Sequence, residues 1–189
     1  MLATRMRLAA SAPAAGAWEL ISTTTASDDA TIDIINLSSD FVYKFFWYGL
    51  QPATDAQQLN IRTSTNNGGD WDAGASDYAW TTHEVPMTTS PSHLPGGDDA
   101  DSRILVLLGP GSATNETADL EVTLFNPSGT EFTKFQWETT LFDSSFFDLW
   151  ETITGAGVRL SAADVDGVRF FHTSGNIASG TLKVYGLRS

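Results

Sequence analysis

From Trp18 onward, apolar and polar positions alternate with a period of two, the pattern of strands that bury one face. Ile32 and Ile34 share a face in TIDII, Leu59, Ile61 and Thr63 share one in QLNIRTS, and Leu120, Val122 and Leu124 alternate cleanly. Phe135 and Trp137 face together. Val168, Phe170 and His172 alternate with Arg169 and Phe171, and Leu182 and Val184 alternate with Lys183 and Tyr185. Two segments depart from the pattern. Arg103–Leu108 is a continuous apolar run after its arginine, and FVYKFFWY at 41–48 is aromatic on both faces, as a doubly covered strand would be.

Turn formers separate these segments: Gly68-Gly69, Pro95-Gly96-Gly97, Gly109-Pro110-Gly111, Pro127-Ser128-Gly129, Asp166-Gly167 and Ser174-Gly175-Asn176. Helical periods are almost missing, and SAAD at 161–164 has the form of a capping box with room for one turn only. About ten short strands at this spacing predict an all-β chain, an antiparallel two-sheet sandwich that is jelly-roll-like. Its bounds are residues 18–189, preceded by an extended N-terminal arm at 1–17. The segment Thr81–Ser102, with prolines at 86, 91 and 95, reads as the longest loop and as surface. The ending is expected to be a hairpin, with Asp166–Thr173 reversing through SGNIASG into Thr181–Leu187.

Composition narrows the chemistry. A chain of 189 residues with an ordinary apolar share can bury a substantial core. Its net charge of −13 argues against a nucleic-acid partner, because phosphates would be repelled. Cysteine is absent, which excludes disulfides, thiolate metal sites and a thiol nucleophile. No run is long enough to span a bilayer. Arg5 and Arg7 stand in an opening with no acid before Glu19, and Leu8 is isolated among Ala, Ser and Pro, so the apolar centre of a secretory signal is missing. An arm held by a neighbouring subunit is the expectation.

Candidate chemistry is thin. STNNGGDW at 64–71 lacks the alternating acids and closing Glu of a calcium loop. It resembles the Asp-box of sialidases at Ser64, Gly68 and Trp71, departs from it at Asn66 and Asp70, and reads as a tight hairpin turn with the Trp packed back. Asp98, Asp99 and Asp101 form a weak calcium candidate, outweighed by a soluble acidic loop. His83, His93 and His172 lack metal-ligand spacing, and His172 reads as a satisfied strand-end residue. Glu116, Asp119 and Glu121 could supply a glycosidase pair, yet Asp119 and Glu121 share a solvent-facing phase. Asn36 and Asn115 match the glycosylation pattern by accident. No catalytic set, metal site or cofactor site is expected.

The aromatic load of 41–48, with Phe146, Phe147 and Trp150, fits a ring-filled core with part left over for an interface. The interface candidates are Arg5, Arg7 and Leu8 in the arm, with Phe46, Tyr48, Phe146, Phe147 and Trp150 in the body.

The segment from Asp166 to Leu187, DGVRFFHTSGNIASGTLKVYGL, resembles the ending of many small virion proteins of tailed bacteriophages. WELI at 18–21, ATIDI at 30–34, PATD at 52–55, then Leu59, Arg62, Ser64, the Gly-Gly turn and Tyr78 follow the same order in that family, so the resemblance covers nearly everything after the arm. It implies a virion structural protein assembled in the host bacterial cytoplasm and placed on the particle exterior. A capsid decoration or cement protein contacting the major capsid protein, in a homo-oligomer with a trimer favoured, is the leading expectation. The alternative is a tail-fibre or baseplate adhesin that binds host glycans through Thr81–Ser102 and Trp80.

Overall fold

The computed structural model describes residues 16–127, 129–143 and 149–188. Among these residues there are twelve strands and no helix. They are β1 (Glu19–Asp29), β2 (Ile32–Ile35), β3 (Phe41–Pro52), β4 (Leu59–Ser64), β5 (Tyr78–Pro86), β6 (Leu94–Asp101), β7 (Ile104–Leu107), β8 (Ala118–Phe125), β9 (Lys134–Asp143), β10 (Leu149–Arg159), β11 (Gly167–His172) and β12 (Ile177–Arg188). All pairings are antiparallel. One sheet has eight strands in the order β1-β12-β3-β8-β9-β10-β5-β6, and the other has four in the order β2-β11-β4-β7.

The expected sandwich is what forms. Tyr43, Phe45 and Trp47 of β3 and Leu120, Val122 and Leu124 of β8 bury the same phase of their strands. Phe170 of β11 meets Phe45 and Trp47 edge-on from the smaller sheet, with ring centroids 5.6 and 5.7 Å away, which joins both sheets in one core. With the β5–β6 and β9–β10 hairpins set aside, every connection except that from β4 to β7 crosses between the sheets, and the first and last strands lie side by side. The two hairpins extend the larger sheet alone.

Five local expectations need correction. The terminal strands are not a hairpin: β11 pairs with β2 and β4, while β12 pairs with β1 and β3 in the other sheet. Gly175, at φ 74°, makes the crossing, and Asn176 pins it by donating from Nδ2 to the Asp28 carbonyl at 3.0 Å. Gly180 is a bulge inside β12 and not a second turn. Each strand carries one apolar face, and both faces find the core because the chain arches over it.

Thr81–Ser102 is mostly strand, for β5 and β6 pair along the edge of the larger sheet. Pro95, Gly96 and Gly97 sit within β6, as an edge strand tolerates. STNNGGDW is a turn, but β4 and β5 belong to different sheets, so it is not a hairpin. Ser64 Oγ accepts from the Gly68 amide at 2.8 Å, Asn66 Oδ1 accepts from the Asp70 amide at 2.7 Å, and the Asp72 amide returns to the Thr63 carbonyl at 2.9 Å. Asn67 and Gly68 take positive φ, and the Arg169 guanidinium lies 4.4 Å from the Trp71 ring centroid. Residues 161–164 form no helical turn.

The fifth correction concerns β3. Its Tyr43–Phe45–Trp47 face is buried, whereas Lys44, Phe46 and Tyr48 face away from the sandwich, and Tyr48 is 47% exposed. Among the described residues, the two sheets cover only one face of β3.

Candidate interaction surface

The outer face of the eight-stranded sheet is built by the strand phase opposite the core. Register places Lys183 beside Phe46 and Tyr185 beside Lys44 on β12 and β3, with Glu121 of β8 next to Phe46. Phe46 stacks on Tyr48 at 6.3 Å and meets Tyr185 edge-on at 5.6 Å. Cations lie over these rings: Lys183 Nζ is 5.5 Å from the Tyr48 centroid, and Lys44 Nζ is 5.4 Å from that of Trp18. Lys44 also forms an ion pair with Glu121. Trp18 and Trp150 are each 41% exposed, and Trp150 is T-shaped against Phe142 further along the same face. Exposed rings held in place by stacking and cations are rigid contact area, since their ordering cost is already met in the free chain.

Three shallow depressions cross this face in series. The first, about 650 Å³, lies among Trp18, Val42, Lys44, Glu121, Gln136 and Glu138. The second, about 350 Å³, adjoins it through Thr154 and Gly155. The third, about 820 Å³, continues through Thr81 and Ala156 to Asp98 and Asp99 on β6. Together they form one open groove that runs from β12 and β3 to the β6 edge. Its charged lining is mostly acidic.

On the opposite face, three carboxylates converge where β5, β9 and β10 pair. Glu84 is 8% exposed, Asp143 2% and Glu151 1%. Among the described residues, neither oxygen of Glu151 has a hydrogen-bond partner. Burial first, then the charges of Asp143 and Glu84, push the Glu151 carboxyl up to about 8. Burial and Asp143 also raise Glu84. Glu151 is therefore a neutral acid at neutral pH, enclosed and remote from the groove. Spacing did not suggest this trio, which joins residues far apart in the chain. The available signal is phase: Ile153 fixes the inward face of β10, and Glu151 stands two residues before it.

A second polar network knits the turn at 64–71 to β10. Arg159 Nε donates to Asp72 Oδ2 at 2.8 Å, Thr63 Oγ1 donates to the same oxygen at 2.7 Å, and Tyr78 Oη accepts from the Thr63 amide at 2.8 Å. Burial above all pushes the Tyr78 hydroxyl up to about 12, so it stays a neutral donor.

Of the predicted interface residues, the structure places Phe46, Tyr48 and Trp150 on the open face. Arg5, Arg7, Leu8, Phe146 and Phe147 lie outside the described residues. Asp101 accepts from Trp80 Nε1 at 3.0 Å and Asp98 from the Ala100 amide, and no group of metal ligands assembles among the described residues. Trp80 is partly buried, packing against the core while also lining the third depression. His172 is buried, with Nδ1 donating to the Gln57 carbonyl at 3.1 Å and Nε2 unpartnered; burial lowers its pKa. Asp119 and Glu121 point outward, and Asp119 is tied to the Gly49 amide. Comparison with family models, curated proteins and solved structures finds no match.

Proposed function

We propose that this chain is a structural protein of a tailed-bacteriophage virion, a decoration or cement protein on the particle exterior. It works by adhesion and turns over no substrate. The observation that carries this reading is the open outer face of β3 and β12, where Phe46, Tyr48 and Tyr185 form a fixed ring cluster that the chain's own sandwich leaves uncovered. Such a face gives contact area to the major capsid protein or to sister copies, and many symmetric copies add their modest interfaces together. A trimer is the favoured unit.

The test is to incubate labelled protein with naked expanded heads and, separately, with host cells. Saturable attachment to heads is expected. Binding to cells and not to heads would replace this reading with the tail adhesin.

A further inference from the structure

We propose that the groove across the outer face of the eight-stranded sheet receives the Arg-bearing segment 1–15 of a second copy of this chain. The proposal rests on the adhesive reading above and names the partner of that face. Charge comes first. Glu121, Glu138, Asp98 and Asp99 line the groove, while its one lysine, Lys44, is already paired with Glu121. His83 is the other titratable side chain along it. Residues 1–15 carry Arg5 and Arg7 and no acid, so they complement a groove that would repel the acidic remainder of any sister body.

Position and reach agree with this. Trp18 lines one end of the groove, and the described residues begin at Gly16, two positions before it. The groove crosses seven strands, which is about 29 Å at the usual strand spacing. Fifteen residues extended reach up to about 50 Å, enough to pass beyond their own body and lie along a neighbour's groove. Each copy then gives one segment and accepts one. That is a head-to-tail contact, which closes into a ring when the rotation permits.

Native mass spectrometry of the full chain tests this. An oligomer is expected, and it should weaken about tenfold when the Asp98→Lys/Asp99→Lys pair replaces two attractive contacts by repulsion. Deleting residues 1–15 should give monomers with an unchanged far-UV circular dichroism spectrum. Mixing the deleted chain, which keeps its groove, with the charge-reversed chain, which keeps its segment, should restore one-to-one complexes. A monomeric full chain, an unweakened oligomer after deletion, or a mixture that stays monomeric would overturn the proposal. Monomers that still attach to heads would overturn this inference alone, and oligomers that fail to attach would overturn the reading beneath it.

Discussion

β3 and β8 present Tyr43, Phe45, Trp47, Leu120 and Val122 to the smaller sheet, whereas β5, β9 and β10 present Thr82, Glu84, Thr139, Asp143, Glu151 and Arg159 on the same side. Both regions are buried, and both belong to one continuous sheet. The first excludes water with rings and aliphatic chains, so each buried group adds stability. The second encloses groups that must be bonded or neutral, so its worth depends on partners and on pH. The comparison teaches that the added hairpins, while giving Phe135, Trp137, Leu141 and Ile153 to the core, also enclose polar groups whose contribution varies with partners and pH.

The sharpest way to break this contrast is at Phe170, which meets the rings of both Phe45 and Trp47. Phe170→Ala should cost about 3–5 kcal/mol in chemical denaturation, a large part of a domain's stability. Asp72→Asn comes next. It leaves the buried Arg159 guanidinium, 2.8 Å away, without its counter-charge, and a loss of about 3 kcal/mol is expected.

The smallest effect is the most specific to the acidic region. Glu151 titrates near 8 when folded and near 4.5 otherwise, so rising pH ionises the unfolded chain first. The stability tied to its neutral form is complete below pH 4.5 and is lost progressively up to about pH 8. Glu151→Gln removes that loss. Between pH 6 and pH 7 the variant should gain about 1.4 kcal/mol on the parent, read from paired denaturation curves. A constant difference across that interval would mean that Glu151 is already ionised in the folded chain.

Strands were legible from the sequence because period-two alternation is a local property, and the phase of Val168 and Phe170 or of Leu182 and Val184 needs no knowledge of neighbours. Pairing was not. β11 and β12 follow one another closely, yet nothing local distinguishes an arch over the core from a hairpin within one sheet. β6 is hidden from local reading because Pro95, Gly96 and Gly97 carry turn chemistry, while an exposed edge accepts residues that a central strand would reject. Of the surface, the double aromatic character of 41–48 was visible, and the open side of that strand follows from the strand order. The groove and the acidic trio depend on residues brought together across β3 to β10, so only register reveals them.

The proposed function requires adhesion through the open face of β3. The most direct measurement is the affinity of the Phe46→Ser/Tyr48→Ser variant for naked expanded heads, with its denaturation midpoint followed in parallel. Both side chains lie outside the core, so stability should change by no more than about 0.5 kcal/mol each, while attachment should weaken at least about tenfold. A variant that binds heads as tightly as the parent would contradict the claim.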